Sequence, residues 1–251
     1  MNSIKRAPYI AFIIAKKYVT TTVRLTMCPI RYYKKIYTRT GDKGTSVTFT
    51  GVRKPKDDII FDALGTTDEL SSAIGMSAEH CKEAGHQLTD KLQLIQCALQ
   101  DVGSNIATPF SSARTAHLKQ VQFNRKFVSD LESWIDEMTD QLPPLKNFIL
   151  PSGGKSSCSL HFARSVCRRA ERSMTPLVRD KEIDEETLKF VNRLSDFLFT
   201  AARFCAMREG RTEAIYIRTE ETKLDLGKKT NENIHDLGKK TSEDIHSSRD
   251  V

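Results

Sequence analysis

The sequence lacks the cysteine and histidine patterns that mark a zinc site or a disulfide-stabilised protein. Its six cysteines include no Cys-x-x-Cys pair, and its six histidines include no His-Glu-x-x-His or His-x-His arrangement. Five of the cysteines fall in segments with helical periodicity, which is typical of small buried side chains. We therefore expect no disulfide framework and no metal ion ligated by protein side chains.

Acidic residues are absent from the first 41 positions, which contain nine lysines and arginines. Because a basic, Ser- and Thr-containing segment without acids is typical of a mitochondrial transit peptide, we assign residues 1–33 to a transit-like leader and predict a location in the mitochondrial matrix. A secretory signal is the alternative. The apolar run from Ala7 to Ala15 is shorter than the roughly twenty residues that cross a bilayer, so we expect no membrane association.

The formal net charge of +7 is concentrated near the N-terminal end rather than spread over the whole sequence. Nucleic-acid binding requires basic residues on a folded face, together with groups that stack on bases or read their edges. The sequence offers no aromatic stacking platform of that kind. We therefore expect no nucleic-acid partner, although a basic bundle that binds nucleic acid remains an alternative, with steeply salt-dependent binding as its signature.

Apolar side chains recur every three or four residues in five stretches after Pro55, which indicates amphipathic helices. No interior strand is evident, so the sequence predicts an all-α fold, a five-helix bundle with a flexible phosphate-binding loop at its N-terminal end. Thr66 and Glu69 fit a capping box at the start of the first helix. The first predicted helix starts between Asp57 and Thr67. The second covers about residues 88–102, and the third covers about residues 121–138. The fourth runs from about Ser157 to Arg179, and the fifth runs from about Asp184 to Glu209.

The chain divides into a folded domain, which we assign to residues 34–217, and a polar tail at residues 218–251. The tail contains an internal duplication of eleven residues, Asp225–His235 followed by Asp236–His246. Two short polar copies cannot bury a core of their own, so we expect a disordered appendage. A docking segment for a partner is the alternative.

A loop rich in glycine, hydroxyl and basic residues precedes the first helix, at Thr38–Ser46. Glycines expose backbone N–H groups, and hydroxyls and cations suit phosphate oxygens, so the loop is a candidate polyphosphate cradle. It is not a Walker A loop, because that motif has four residues between its first glycine and the Gly-Lys pair. A plain turn is the alternative.

The segment Arg53–Asp58 places three cations before two acids at the expected entrance to the first helix. The acids can interact with the helix dipole. Lys56 can instead reach phosphates held by the preceding loop. The residues alone favour neither interpretation.

A second group of basic residues lies on the fourth predicted helix. Arg164, Arg168, Glu171 and Arg172 follow spacings of three and four residues, so they share one face, and Arg169 points further round. Because guanidinium groups form bidentate contacts with phosphate and carboxylate, this face suggests anion binding or ion pairs between helices. A solvated helix face is the alternative.

Polar residues on the fifth predicted helix complete the candidate site. Asn192 and Asp196 are four residues apart and can face the arginines of the preceding helix, and Asp68 and Glu69 supply further acids. A structural network of salt bridges is the rival interpretation.

Five segments together resemble one family. In order and spacing they are similar to the PduO-type cobalamin adenosyltransferases, most of all to the animal mitochondrial members, and the likeness covers about residues 35–217. The segments are Lys35–Gly44, Gly65–Ser72, Phe148–Gly154, Cys167–Arg172 and Asn192–Asp196.

The resemblance implies an enzyme that transfers the 5′-deoxyadenosyl group of ATP to Co(I) of reduced cobalamin, with triphosphate as the second product. It also implies a homotrimer with active sites between subunits, a loop that orders over ATP, and Mg²⁺ bound through the ATP phosphates. An adenosylcobalamin-dependent mutase and a reductase are the implied protein partners. A non-catalytic corrinoid carrier that delivers cofactor to a mutase is the alternative.

The resemblance also assigns roles to residues at matching positions. The implied contacts to ATP are Thr38, Arg39, Thr40, Gly41, Ser46, Lys56, Arg168, Arg169, Glu171, Arg172 and Asn192. The implied catalytic residues among them are Lys56, Arg168, Glu171 and Asn192. The implied contacts to cobalamin are Asp68, Phe148 and Arg164, and the implied residue of the subunit interface is Asp196.

Phe148 has the most specific implied role. It would lie against the lower face of the corrin and displace the lower axial ligand, which makes reduction of Co(II) to Co(I) easier. The alternative is that Phe148 is an ordinary core residue.

Overall fold

The computed structural model describes Tyr37 and residues 39–218. The expectations for the leader, for Thr38 and for the duplicated tail concern residues outside this part of the chain. Among the described residues, no helix is both long enough and apolar enough to cross a membrane.

A small antiparallel hairpin precedes six helices, and the predicted all-α fold is confirmed. Strand β1 is Thr45–Val47 and strand β2 is Arg53–Pro55, with Ser46 opposite Lys54. The helices are α1 Ile59–Glu83, α2 Thr89–Ile106, α3 Thr115–Gln120, α4 Lys126–Thr139, α5 Lys155–Arg179 and α6 Glu185–Arg208.

The five long helices surround one hydrophobic core. Helix α1 packs between α2 and α5, and α6 packs between α5 and α4. Lys91 of α2 joins α4, because its ammonium lies 2.8 Å from the Glu137 carboxylate and 5.2 Å from the centre of the Trp134 ring. The helices therefore form a closed bundle around their apolar faces.

Helix α1 starts within the predicted window, but its cap differs from the prediction. The Asp58 carboxylate accepts a hydrogen bond of 3.0 Å from the Ile60 N–H and pairs with Lys54 at 2.8 Å. Burial favours a raised pKa for Asp58, yet the hydrogen bonds from Lys54 and Ile60 lower that pKa overall.

The predicted capping box at Thr66 and Glu69 is wrong. Thr66 lies inside α1, where its hydroxyl donates to the Ala63 carbonyl and contacts the Ser173 hydroxyl of α5 at 2.7 Å. A threonine inside a helix can satisfy its hydroxyl on the preceding turn, so the motif alone does not mark a helix start.

Helices α1 and α5 run antiparallel. Thr66 near the start of α1 meets Ser173 near the end of α5, and the Ser156 hydroxyl near the start of α5 donates to the His80 carbonyl near the end of α1. The hairpin that precedes α1 therefore lies toward the C-terminal end of α5.

Two local predictions need correction. The third predicted helix starts at Lys126 rather than near Val121, because Val121 and Phe123 are buried in an irregular connection, and the short helix α3 before it was not predicted. Among the described cysteines, Cys97 and Cys158 are exposed, contrary to the expectation of burial.

Candidate functional site

The loop before α1 is folded around backbone hydrogen bonds and the Lys56 side chain. The Gly44 N–H donates to the Gly41 carbonyl at 3.2 Å, and the Lys56 N–H donates to the Gly44 carbonyl at 2.9 Å. A Cβ at Gly41 would lie 3.1 Å from the Lys56 ammonium, so glycine leaves the space that the lysine occupies. The structure thus joins Lys56 to the predicted cradle.

Arg53 supports the same loop from the hairpin. Its guanidinium donates to the Thr45 hydroxyl at 2.9 Å and to the Thr40 carbonyl at 3.4 Å. The guanidinium of Arg39 lies 5.3 Å from the centre of the Tyr37 ring, and Arg39 has a positive φ of 57°. Ser46 lies half-buried in β1. Three basic side chains therefore surround a turn with exposed backbone groups, which suits a polyanion.

The predicted basic face of α5 is exposed, and part of its charge is unbalanced. Arg169 pairs with Glu69 of α1. Arg168 and Arg172 are exposed and form no ion pair with any residue that the structure describes. Two guanidinium groups on one helix face that form no ion pair with a described carboxylate favour binding of an anion.

The polar residues of α6 meet α5 beside these arginines. The Asn192 amide donates a hydrogen bond of 2.7 Å to the Glu171 carboxylate. The Asp196 carboxylate accepts from Arg193 of its own helix at 3.0 Å, and Arg193 also pairs with Glu132 of α4 at 3.0 Å. Glu171 is therefore oriented by Asn192 rather than by the arginines next to it.

Arg164 lies one turn before Arg168 on α5, next to a buried histidine. Its guanidinium is 5.8 Å from the centre of the Phe199 ring, and its Nε has no hydrogen-bond partner. His161 is 3% exposed and packs edge-on against the same ring, with both ring nitrogens unpaired. Burial, followed by the nearby Arg164 charge, lowers the pKa of His161 to about 4.

Asp68 lies in an open groove between α1 and α5, with a volume of about 510 Å³. One end of the groove carries both acidic and basic side chains. The other end is apolar and includes the exposed side chains of Met76 and Phe162. Asp68 and Arg164, both expected near the corrin, form no ion pair within the described chain. Their pairing stays a prediction.

Phe148 is not a core residue, because its side chain is 85% exposed. It lies on an extended segment that pairs with the chain after α6: the Tyr216 N–H donates to the Phe148 carbonyl, and the Leu150 N–H donates to the Ala214 carbonyl, each at 2.8 Å. This pairing holds the backbone while the ring projects outward, so the alternative that Phe148 belongs to the core is wrong.

The turn after Phe148 packs tightly against the end of α6. Gly153 has a φ of 92°, and a Cβ there would lie 2.6 Å from the Ala206 methyl carbon; Gly154 has a φ of 100°, and its Cβ would lie 2.7 Å from the Glu209 carboxylate. Only glycine fits both the conformation and the space. The predicted rigid turn therefore has a definite cause.

Comparisons with known proteins show the family of this chain. The sequence model of the cobalamin adenosyltransferase family matches residues 36–205. The corrinoid adenosyltransferase MMAB of Mus musculus is 64% identical over 182 residues, which cover 72% of this chain and 77% of the mouse protein. The Homo sapiens protein of the same name is 61% identical over 186 residues, or 74% of each chain.

This chain belongs to the cobalamin adenosyltransferase family. A solved variant of the PduO-type ATP:corrinoid adenosyltransferase from Lactobacillus reuteri, complexed with cobalamin and ATP, has a TM-score of 0.68 and 34% identity to it. That comparison covers 73% of this chain and 100% of the other. The family resemblance expected from the five segments is thereby confirmed.

Within one chain, two groups of predicted site residues lie at different levels of the bundle. The cradle and Lys56 precede α1, whereas Arg172 lies beside Ser173, which contacts Thr66. Thr66 lies about 10 Å along the axis from the start of α1. The start of α1, which follows the cradle, and Arg172 of α5 are therefore offset by about 10 Å along the bundle within one copy.

Three features of this family member were missed from its sequence. His161 and Phe162 lie within the apolar pattern of α5, where a buried histidine and an exposed aromatic give no distinct signal. Met76 lies outside the core stripe of α1, and this position is the one sign in the sequence that its apolar side chain is exposed.

Proposed function

We propose that this chain transfers the 5′-deoxyadenosyl group of ATP to Co(I) of reduced cobalamin and releases triphosphate. The observation that carries the proposal is the unbalanced positive charge of Arg168 and Arg172 beside the Glu171–Asn192 pair. Membership of the family and the Lactobacillus reuteri complex with both substrates support it.

The chemistry that we propose requires no nucleophile from the protein. Co(I) attacks the 5′ carbon of the ribose, the new cobalt–carbon bond forms, and the carbon–oxygen bond to triphosphate breaks. Arg168 and Lys56 stabilise the negative charge that grows on the leaving triphosphate. Glu171, held by Asn192, positions the nucleoside, so the protein mainly aligns the two reacting atoms.

We propose the remaining ATP contacts from the positions that match the family. The cradle residues would contact the phosphates through their backbone and hydroxyl groups, and Arg169, paired with Glu69, would shape the edge of the site. The set comprises Thr38, Arg39, Thr40, Gly41, Ser46, Arg169 and Arg172.

Mg²⁺ would enter with the nucleotide. Among the described residues, no cluster of three His, Cys, Asp or Glu side chains could hold a metal ion. The site instead presents cations and hydroxyls, which fits a Mg²⁺ ion held largely by phosphate oxygens and water. When bound, the ion would neutralise part of the triphosphate charge.

The corrin site that we propose includes Phe148, Asp68 and Arg164. An aromatic ring that projects from a fixed backbone can occupy the space of the lower axial ligand. Asp68 lies in the groove between α1 and α5, whereas Arg164 lies against Phe199 of α6, so we propose that they pair between two copies of the chain.

We further propose that the active form is a homotrimer with the site between subunits. The separation of the cradle from the α5 arginines within one chain supports a site that is completed by a second copy. In this assembly residues 34–217 form the catalytic domain, Asp196 lies near the interface, and residues 218–251 form a disordered tail.

The cellular setting is also a proposal. The acid-free segment at residues 1–33 supports import into the mitochondrial matrix. A reductase that supplies electrons and a mutase that receives adenosylcobalamin would be the partners there. Deletion of residues 1–33 is expected to leave the protein outside mitochondria in fractionated cells, and retention in the matrix would contradict this part.

The reaction is tested by mixing the full chain anaerobically with chemically reduced cobalamin, ATP and Mg²⁺. Visible absorbance measures adenosylcobalamin, and an assay of released triphosphate measures the second product. We expect the two products in equal amounts. Corrinoid binding without turnover would replace this proposal with the carrier function, and the absence of both would reject it.

A further inference from the structure

Two buried thiols meet between the ends of α1 and α6. The Cys81 and Cys205 sulfur atoms lie 3.8 Å apart, although the residues are 124 positions apart in sequence. Both side chains are fully buried and both are free thiols. The two sulfur atoms are therefore in contact, at a distance about 1.8 Å longer than a disulfide bond.

We propose that Cys81 and Cys205 form a redox-active dithiol, which a small peroxide converts to an intrachain disulfide between α1 and α6. The pair lies at the opposite end of α1 from the cradle. It is therefore a modification site separate from the proposed ATP contacts.

The hydrogen bond between the thiols couples their ionisation, because this contact lowers the pKa of Cys81 and raises the pKa of Cys205. The thiolate is the nucleophile in thiol oxidation. In the proposed reaction Cys81 attacks the oxidant, and Cys205 resolves the intermediate.

The reaction balances with hydrogen peroxide as the oxidant. The Cys81 thiolate attacks one peroxide oxygen, the O–O bond breaks, and hydroxide leaves, so that Cys81 becomes a sulfenic acid. The Cys205 sulfur then attacks the Cys81 sulfur and water leaves. Two thiols lose two electrons and two hydrogens in total, and one peroxide is reduced to two waters.

The position of the pair gives a small oxidant access despite full burial. Cys81 lies within the last turn of α1, which ends at Glu83, and Cys205 lies within the last turn of α6, which ends at Arg208. Helix ends open locally at far lower free energy than the whole fold. Exposed Cys97 therefore reacts first with bulky reagents, whereas peroxide reaches the pair during brief openings.

The charged groups around the pair belong to one network. Glu209 accepts a hydrogen bond from His86 at 2.9 Å, and Glu209 is the carboxylate whose charge acts on both thiols. Ala206, next to Cys205, packs against Gly153 of the turn after Phe148. The new bond would thus join α1 to the part of α6 that supports this turn.

The test treats the full chain with hydrogen peroxide under native conditions, then blocks free thiols with iodoacetamide in denaturant. Peptide mass mapping is expected to show a Cys81–Cys205 link with the loss of two hydrogens, which dithiothreitol reverses. Because the link closes a long loop, the oxidised protein should melt about 5 °C or more above the reduced protein.

The matched control lacks Cys28, Cys97 and Cys158, each replaced by serine, and it should form the link as the unaltered chain does. Cys81→Ala should abolish both the link and the rise in melting temperature. The proposal is overturned if native peroxide treatment oxidises Cys97 and leaves Cys81 and Cys205 as thiols. It is equally overturned if the link forms only in denaturant. Mapping of the unaltered chain gives this answer even if a variant fails to fold.

Discussion

The Phe148 ring is the most exposed large apolar side chain among the described residues. Leaving such a ring in water forgoes about 2 kcal/mol of burial free energy. The backbone pairing with Ala214 and Tyr216 nevertheless holds it in that position. A fixed, exposed aromatic ring is therefore available for the contact with cobalamin that we propose.

Phe148→Ala should reduce turnover from Co(II)alamin with a reductant by about a hundredfold, because the lower ligand is no longer displaced. ATP affinity and melting temperature should stay unchanged, since the ring contacts no core residue. Stopped-flow absorbance and calorimetry measure the two effects, and Leu145→Ala, which removes another exposed side chain of this segment, is the control. Equal losses in turnover and ATP affinity would contradict the corrin assignment.

His161 makes stability depend on pH. Its pKa is about 4 in the fold and about 6.5 in the unfolded chain, so the unfolded chain binds the additional proton between these values. The stabilisation from a neutral His161 is therefore complete above pH 6.5 and is lost as the pH falls toward 4.

His161→Phe should remove this dependence. The free energy of unfolding of the unaltered chain should fall by about 1–2 kcal/mol more than that of the variant between pH 7 and pH 5. Urea titrations at both pH values measure this difference. Parallel losses in the two proteins would show that groups other than His161 cause the dependence.

At the level of elements, the turn at Gly153 and Gly154 depends on its contact with α6. The approach of the Ala206 methyl group leaves no room for a side chain at Gly153. The turn connects the extended segment of Phe148 to the start of α5. Its geometry thus fixes the position of the exposed ring relative to the basic helix.

Gly153→Ala should destabilise the fold by about 2–4 kcal/mol, because it adds both a clash and an unfavourable positive φ. Gly85→Ala is the matched control: Gly85 has a φ of 77° but no atom within 4 Å of its Cβ position, so it should cost only about 1 kcal/mol. Chemical denaturation compares the two. Similar losses would show that backbone strain, not packing, limits the turn.

The long helices were predictable because each carries an apolar stripe that a single sequence displays. The α5 stripe predicted an element that the structure places at Lys155–Arg179. Helix α3 was not predictable, because it has six residues and buries none of them. The Thr66 motif failed because its hydroxyl bonds to Ala63 and Ser173, and the second contact depends on tertiary packing.

The candidate site was predictable in composition but not in arrangement. The sequence placed Arg168 and Glu171 on one helix, and the spacing of Asn192 suggested that it faces them, which the structure shows for Glu171. It carried no information on register between α1 and α5. Consequently it did not predict that the cradle and Arg172 are separated along the bundle.

At the level of the whole molecule, this separation permits a test of the proposed trimer. Lys56→Ala and Arg168→Ala should each lower kcat/KM about a hundredfold or more, since each removes a charge that stabilises the leaving group. If one copy supplies Lys56 and its neighbour supplies Arg168, mixed assemblies regain intact sites.

Refolding the two variants together should therefore restore about a quarter of normal activity, because random assembly gives intact pairs at that frequency. Sedimentation should show a trimer for both variants and for the mixture. Arg179→Ala, an exposed arginine at the end of the same helix, is the control and should retain activity when refolded alone. No recovery in a mixed trimer would place both residues in a site within one copy.

Arg168 and Arg172 have a further consequence for how the reaction cycle ends. Under the proposed function, the side chains that favour departure of triphosphate also attract it after the bond has broken. Inorganic tripolyphosphate should then compete with ATP, and its exit should become slower as salt is lowered. The turnover rate would in that case be limited by the escape of a by-product and by its rebinding. An enzyme that degrades the released tripolyphosphate would relieve the rebinding without contacting the corrinoid.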